Sequence, residues 1–338
     1  AWGELNEEWL ASFLEMPHGP PTQDVFLAVF SALDPVAFHD VFQRWVELLR
    51  ARLAAQGKHV AVDGKTCRRS HDHGAERPAV HVLSAWLVDE GVVVGTLATE
   101  AKSNEISAIP ELLRLINIKG ATVTIDAMGC QTAIAETIVK AKGDYLLSVK
   151  DNQPSLRRDV VASFRDAEDL SPRPLDQPEA LSVERWQETT KGHGRLEERE
   201  ITVCRDLSWL ETADRWPGLS FIVQACSTRT NLATGEQTRG CRYFIGSEAT
   251  ASVERIASLV RGHWAVENSA HWVLDMAFDE DRARHRAGNC ARNLATVRRM
   301  ALDLLKTEPT CKLGVANKRK RAGWNRGYLL QVLVGPRR

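Results

Sequence analysis

The sequence predicts an α/β protein: a mixed five-stranded sheet with flanking helices, an inserted β-rich subdomain and an N-terminal helical lobe. Apolar residues recur at helical spacing as far as residue 55, and from His59 onward short β-rich runs alternate with helical segments. Between residues 171 and 248 further β-like runs interrupt this alternation, and helical spacing returns at Val253. We therefore expect five regions: residues 1–56, 57–170, 171–248, 249–308 and 309–338.

The residue pattern of the first region predicts helices that pack together as a small lobe. Two apolar stripes lie at helical spacing here: Trp9, Phe13 and Leu14, then Phe38, Val41, Phe42, Trp45 and Leu49. Asp34 followed by Pro35 is typical of a helix start, because aspartate caps free backbone N–H groups and proline suits the first helical position.

The order of the predicted elements in the second region indicates that this region forms the core of the protein. These are strands at 59–62, 79–88 and 92–99, a helix at 106–116, a strand at 122–125, a helix at 132–142 and a strand at 145–149. Three meandering strands followed by two helix–strand crossovers give a mixed five-stranded sheet. This is the order of an RNase H-like core, in which the first and fourth strands are neighbours.

Asp63 and Asp126 close the first and fourth predicted strands, and each precedes a small residue. Either aspartate alone is typical of a turn, but the topology brings both to one edge of the sheet. Two carboxylates that lie close together raise each other's pKa unless a cation lies between them. Mg²⁺ or Mn²⁺ suits such a site, and a pair of ions can hold the attacking and leaving oxygens of a phosphoryl displacement.

A third metal-binding carboxylate is expected from the helix that follows the insertion. Four polar residues recur every four positions there and form one stripe on a helix face: His263, Glu267, His271 and Asp275. We expect Glu267 to be the third acid. The alternative is a zinc site made from Glu267 and the two histidines. The later acidic run at 279–281 is expected to lie exposed at a helix end.

Basic and amide side chains are predicted at the same end of the sheet as the acids: Lys65, Arg68, Lys150, Asn152 and Gln153. This end would attract phosphate, so we expect them to contact a nucleic-acid backbone. From Lys312 to the end, eight basic residues occur without an acid. Four of these basic residues are consecutive and are also predicted to bind phosphates: Lys318, Arg319, Lys320 and Arg321. The alternative is a solvated tail that promotes solubility.

The amino-acid composition limits the possible classes of protein less than the motifs do. Lys plus Arg (44) equals Asp plus Glu (44), so net charge gives no indication of a nucleic-acid partner. The seven cysteines are scattered without a CxxC pair, which predicts free thiols. No apolar run is long enough to cross a bilayer and no signal-peptide pattern opens the chain, so the expected location is the cytoplasm.

Five stretches of the chain resemble the insertion-sequence transposases of the H-repeat-associated group, within the wider class of DDE transposases. They are Val62–Thr66, Thr124–Gly129, Gly143–Gln153, His193–Arg195 with Glu197 and Arg199, and His263–Asp275. Each match is short, but five of them in the family's order and spacing are specific.

The resemblance implies an enzyme that cuts double-stranded DNA at insertion-sequence ends and joins those ends to target DNA. It implies an RNase H-like fold, divalent metal at Asp63, Asp126 and Glu267, a homodimer in the active complex, and a bacterial cytoplasmic location with binding to the nucleoid DNA. Further candidate DNA contacts are His193, Arg195, His263 and His271. Many relatives in the wider class carry Arg and Lys where this chain has His263 and Leu274, so those phosphate-binding roles are not transferred.

Two other functions stay open on the residues alone. An RNase H-like DNA nuclease would cut without joining, and it would give hydrolysis products only. A decayed, non-catalytic DNA-binding remnant would do neither, although all three acids are intact.

Overall fold

The computed structural model describes residues 2–50, 58–72, 74, 76–99, 105–164, 182–192 and 194–334. Its helices are α1 (Trp2–Leu5), α2 (Glu7–Ala11), α3 (Gln23–Ala32), α4 (Pro35–Arg50), α5 (Glu105–Leu115), α6 (Thr132–Lys140), α7 (Pro154–Ser163), α8 (Val253–His263), α9 (Trp272–Phe278), α10 (Cys290–Thr307), α11 (Val315–Trp324) and α12 (Arg326–Val334). Its strands are β1 (His59–Thr66), β2 (His81–Leu87), β3 (Val92–Thr99), β4 (Thr122–Ile125), β5 (Asp144–Val149), β6 (Val183–Gly192), β7 (Arg195–Cys204), β8 (Phe221–Asn231) and β9 (Gln237–Gly246).

All the strands of the described residues form one mixed sheet in the order β3-β2-β1-β4-β5-β9-β8-β7-β6. The prediction of a five-stranded sheet is therefore wrong: the sheet has nine strands. The insertion strands continue the core sheet, because β9 pairs antiparallel with β5 from Leu146↔Gly246 to Val149↔Tyr243. A free edge of backbone N–H and C=O groups on β5 is satisfied in this way.

The first five strands have the predicted arrangement. β1, β2 and β3 form an antiparallel meander. β4 pairs parallel with both β1 and β5. The expectation that the first and fourth strands are neighbours is confirmed. α5 and α6 supply the two crossovers, and each follows from its apolar stripe; Ile109, Leu112 and Ile138, for example, are fully buried.

Apolar side chains cover both faces of the sheet. Leu146 and Leu147 are consecutive on β5 but belong to different apolar clusters, since successive side chains of a strand point to opposite faces. The cluster around Leu146 includes Ile256 and Leu259 of α8. α8 therefore lies on the face of the sheet that also carries the odd-numbered residues of β1 and the even-numbered residues of β4.

The two ends of the chain pack against each other and against the core. Asp34 caps α4 as predicted, because its Oδ1 accepts hydrogen bonds from Val36 N at 2.8 Å and Ala37 N at 3.3 Å. The indole N–H of Trp2 donates to Gly323 O at 2.8 Å. Within the predicted basic tail, the described residues 309–334 contain α11 and α12, which pack over a small apolar cluster.

Two further findings concern cysteines and membranes. Cys226 and Cys241 lie directly opposite each other on β8 and β9, with Cα atoms 4.1 Å apart, and form a disulfide. The prediction that all seven cysteines are free is therefore wrong for this pair. In the described part of the chain no single helix has the length and apolarity of a membrane span, and α3 with α4 passes that test only as a pair bent by 98°.

Candidate active site

Asp63 and Asp126 lie side by side on neighbouring parallel strands. β1 and β4 are paired up to Val62↔Ile125, and the next residue on each strand is the aspartate. β1 runs on to Thr66 while paired with β2, so Asp63 lies within a strand and does not close it as predicted. Asp126 does close β4, where its Oδ1 accepts a hydrogen bond from Met128 N at 3.0 Å.

Glu267 lies in a short π-helical segment, Glu267–His271, between α8 and α9. The helical spacing that returns at Val253 predicts a regular helix here, but α8 ends at His263 and the turn at Glu267–His271 is π-helical. Single turns of π-helix are uncommon and frequently lie at functional sites. The interruption therefore marks the segment that carries the third predicted acid.

The predicted polar stripe faces the two aspartate-bearing strands. His263 Nδ1 lies 3.0 Å from Thr124 Oγ1, and His271 Nδ1 lies 3.5 Å from Asp63 Oδ2. Asp275 contacts Lys65, two residues beyond Asp63 on β1. Glu267 lies midway along the chain between His263 and His271. The segment that carries Glu267 therefore passes over the ends of the paired region of β1 and β4, where both aspartates lie.

The surroundings of Asp63 disfavour its charged form. Burial, followed by the charges of Asp126, Glu267 and Glu105, raises its pKa from an ordinary value of 3.8 to about 7, although the Gly64 N–H opposes the shift. The predicted repulsion between the acids therefore acts on Asp63, with burial as the larger cause. Burial also lowers the pKa of His271 to about 3 and that of His263 to about 4.

These residues suit a hard divalent cation. Asp63 is partly buried and feels the charges of three other acids. Within the described residues no Lys or Arg side chain pairs with Asp63, Asp126 or Glu267. A cation would relieve that repulsion, and carboxylate oxygens are the donors that Mg²⁺ and Mn²⁺ prefer. Across the described residues, no three His, Cys, Asp or Glu side chains already stand close enough to enclose an ion.

Lys65 does not point to solvent as a phosphate contact would. Its side chain is 8% exposed, and its Nζ lies 2.8 and 2.9 Å from the two oxygens of Asp275 and 3.1 Å from Asp281 Oδ1. Burial opposes its charge, but the hydrogen bond that Lys65 donates to Asp275 and the charges of the neighbouring acids raise the pKa of Lys65. The assignment of Lys65 to phosphate is corrected. Arg68 is exposed and lies 3.4 Å from Asp281.

The later acidic run is not a solvent-exposed helix end as predicted. Glu280 is buried with Arg299, the Arg299 Nη1 atom lies 3.0 Å from Glu280 Oε1, and both side chains are 0% exposed. Asp281 binds Lys65. Asp279 alone of the three is exposed. Glu280 and Asp281 are therefore neutralised by buried basic partners, whereas Asp279 has only the exposed Arg282, at 4.0 Å.

The residues after β5 divide into two kinds. Asn152 Nδ2 donates to Ala127 O at 2.6 Å, and Gln153 Nε2 donates to Cys130 O at 2.9 Å. These amides hold the loop that follows Asp126, so their groups are occupied within the chain. Lys150 is exposed.

The predicted DNA contacts that lie further along the chain also fall into two kinds, exposed and buried. Arg195 is exposed and pairs with Gly192 at the tip of the β6–β7 hairpin, five strands from β1 in the sheet, and His193 lies outside the described residues. Lys318 is buried, and its Nζ donates to Leu305 O at 2.8 Å and Glu308 O at 2.6 Å. Lys318 is therefore a structural residue, which corrects its assignment. Three neighbours on α11 stay exposed: Arg319, Lys320 and Arg321.

Two pairs near the acids were missed from the sequence. His81 Nε2 lies 2.5 Å from Glu105 Oε1, and both are buried beside Gly64, where an added Cβ would collide with both. The Arg242 guanidinium lies 3.7 Å from the centre of the Trp264 ring, which joins β9 to the turn before Glu267. Neither pair has a signal in the sequence, since its members lie more than twenty residues apart.

The chain is similar to known proteins along nearly all of its length. Residues 54–304 match the family described as "Transposase DDE domain", and residues 1–46 match a family associated with it. It is 38% identical to "Putative protein YbfL" and 37% identical to "H repeat-associated putative transposase YhhI", both from Escherichia coli strain K12. Each alignment covers 99% of this chain and 86% of the relative.

One solved structure is also similar. A chain of the piggyBac transposase synaptic complex with hairpin DNA aligns with 84% of this chain and 58% of its own length, at 9% identity and a TM-score of 0.36.

Proposed function

The chain belongs to the transposase DDE domain family, and on that premise we propose that it cuts DNA at insertion-sequence ends and joins the ends to target DNA. One observation carries the proposal: Asp63 and Asp126 continue the parallel register of β1 and β4, beneath the helical segment that bears Glu267. We assign these three carboxylates as the catalytic, metal-binding residues.

We propose that β1–β5 with α5 and α6 form an RNase H-like core into which β6–β9 are inserted. The strand order β3-β2-β1-β4-β5 and its parallel and antiparallel pairs support this assignment. The regions 1–56, 57–170, 171–248, 249–308 and 309–338 are proposed as its units. Pairing of β9 with β5 would then couple the insertion rigidly to the core.

The chain's own groups define the chemistry that the site can perform. Asp63 and Asp126 would hold divalent ions from the sheet, and Glu267 would do so from the helix. Bound Mg²⁺ or Mn²⁺, as a pair of ions, would supply positive charge to the attacking and leaving oxygens. His271, whose lowered pKa keeps it neutral, has its Nδ1 atom 3.5 Å from Asp63 Oδ2 and would restrict the rotation of that carboxylate.

The proposed reaction has two displacements at one site. In the first, a water oxygen bonds to a phosphorus atom of the DNA, the P–O bond to the 3′ oxygen breaks, and that oxygen takes a proton. In the second, the freed 3′-hydroxyl loses its proton and bonds to a phosphorus atom of the target, the P–O bond from that phosphorus to the target's own 3′ oxygen breaks, and the leaving oxygen takes a proton. Holding both DNA molecules in place makes the second step effectively unimolecular.

Five exposed basic residues are proposed to bind the phosphate backbone of double-stranded DNA: Arg68, Lys150, Arg319, Lys320 and Arg321. Arg319 lies over the Phe278 ring at the end of α9, so α11 places positive charge beside the acidic helix. Arg195, on the β6–β7 hairpin, and His193 are a second proposed contact. We also propose a homodimer as the active complex and a bacterial cytoplasmic, nucleoid-bound location.

The direct test incubates the full chain with labelled element ends and a target plasmid in Mg²⁺. Nicked ends together with joined products would support transposition. Nicks without joined products would instead establish a nuclease that only cuts, and neither product from protein that still binds the ends would establish a non-catalytic remnant. Changing His193 and Arg195 to Ala tests the hairpin: activity should fall while the melting temperature stays constant.

A further inference from the structure

We propose that Lys65, Asp275 and Asp281 form an ion cluster that positions the Glu267 segment over Asp63. This Lys65 cluster goes beyond the proposed function but rests on it, because it assigns what sets the geometry of the three proposed catalytic carboxylates. Lys65 is a positioning residue here, since it acts through Glu267 and Asp63 and not on the DNA.

The cluster joins three elements at a single buried atom. Lys65 Nζ on β1 lies within 3.1 Å of both Asp275 on α9 and Asp281 in the short 3-10 helix at 280–282. Arg68 adds a second positive charge to Asp281 at 3.4 Å. Two cations therefore face two carboxylates, and the group is neutral as a whole.

The position of the cluster along β1 connects it to the proposed catalytic acids. Lys65 is two residues from Asp63, so both side chains lie on the same face of the strand. Asp275 is one helical turn beyond His271, which contacts Asp63. The Lys65–Asp275 pair and the His271–Asp63 contact thus fix two successive points of the helix against two successive same-face residues of β1.

Apolar packing alone would leave this register weakly defined. Val266, Ala270, Leu274 and Ala277 are the buried apolar residues of the segment, and two of them are alanines with little shape to prevent sliding. A buried ion pair is directional, and its separation leaves a charge without a partner. The π-helical turn at Glu267–His271 breaks the regular ladder just before this anchor, so the segment depends on an external contact for its position.

The test measures Mn²⁺ affinity by calorimetry and backbone amide exchange over residues 265–278 in the full chain. The variants are Lys65→Met, Asp275→Asn and both together. Asp275→Asn changes only charge at a partly exposed position, so it remains informative if Lys65→Met folds poorly. Lys318→Met is the matched control, because it removes another buried lysine whose partners lie at the end of α10.

We expect Lys65→Met and Asp275→Asn each to weaken Mn²⁺ binding by about 10-fold or more, as for other residues that orient metal ligands. Amide exchange over 265–278 should be faster, and the double variant should be no worse than the weaker-binding single variant. Lys318→Met should lower the melting temperature while Mn²⁺ affinity stays within about twofold of the wild type, well below the effect on ligand-orienting residues.

Wild-type affinity and unchanged exchange in folded Lys65→Met and Asp275→Asn proteins would overturn the cluster's positioning role. Failure of the proposed function would look different, because the wild-type protein itself would then bind no Mn²⁺. In that case amide exchange alone decides: faster exchange over 265–278 in both variants supports the cluster, and unchanged exchange overturns it.

Discussion

Two groups of acidic residues have opposite surroundings: Glu280 and Asp281 follow α9, whereas Asp63 and Asp126 lie on neighbouring strands and Glu267 lies in the π-helical segment before α9. Glu280 and Asp281 are each bound to a buried basic side chain, Arg299 or Lys65. Asp63, Asp126 and Glu267 have no Lys or Arg within ion-pair distance in the described part of the chain. The charges of the first group are neutralised by side chains of the protein itself, whereas the carboxylates of the second group are free to bind a cation. Partnering, and not the number of acids, therefore separates a structural cluster from a candidate metal site.

The largest expected effect is on catalysis. Asp63→Asn or Asp126→Asn should reduce both cutting and joining to background, because the remaining carboxylates cannot hold the ions. The proteins should stay folded, since like-charge repulsion is relieved. Gel assays of labelled element ends measure this. Asp214→Asn, in an exposed turn, makes the same chemical change as a control. Wild-type activity in either variant would remove that residue from the site.

The buried pair should show the reverse pattern, with an effect on stability. Glu280→Gln leaves Arg299 buried without its counter-charge and should cost about 3–5 kcal/mol of unfolding free energy. Urea unfolding measures the loss. The double variant with Arg299→Met should lose less than the sum of the two single variants, because the partners are removed together. A Glu280→Gln protein as stable as the wild type but inactive would reverse the roles of the two groups.

The pH dependence of stability sharpens the contrast further. The pKa of Asp63 is raised to about 7 in the folded protein. Asp63 therefore contributes its full stabilisation of the folded state below pH 3.8, the ordinary pKa of the group, and this stabilisation is lost as the pH rises to about 7. Metal-free Asp63→Asn protein should therefore gain about 2–4 kcal/mol relative to the wild type between pH 4 and pH 8. Melting temperatures across that range measure the gain. A constant difference would contradict the raised pKa.

The smallest effect concerns α11. Changing Arg319, Lys320 and Arg321 to Gln should weaken binding to all DNA sequences alike and flatten the salt dependence by up to about 0.9 log unit per lost phosphate contact. Fluorescence anisotropy at several salt concentrations measures the slope. Lys140→Gln, an exposed lysine on α6, is the control. An unchanged slope would exclude α11 from the DNA surface.

The sequence predicts the frame of the site well, because its signals are local. The strand and helix periods place Asp63 and Asp126 on neighbouring strands, and four-residue spacing places His263 and His271 on one face of the helix. Those positions follow from backbone geometry alone. The π-helical turn at Glu267 was not predicted, since its residues have ordinary helical spacing.

Pairings between distant residues could not be predicted. Lys65 meets Asp275 across 210 positions of sequence, and nothing near either residue indicates the other. The same holds for β9, which pairs with β5 and turns the expected five-stranded sheet into a nine-stranded one. Lys318 was misread because charge usually indicates exposure, whereas its ammonium group is satisfied by carbonyl oxygens at the end of α10.

Mn²⁺ titration of the Glu267→Gln protein tests the central assignment most directly. With the third carboxylate replaced by an amide, affinity should fall by more than about 100-fold, beyond the range seen when a residue that only orients ligands is changed. Asp279→Asn, which alters the exposed acid of the later run, should bind Mn²⁺ like the wild type. Wild-type affinity in Glu267→Gln would contradict the account and move the third ligand elsewhere.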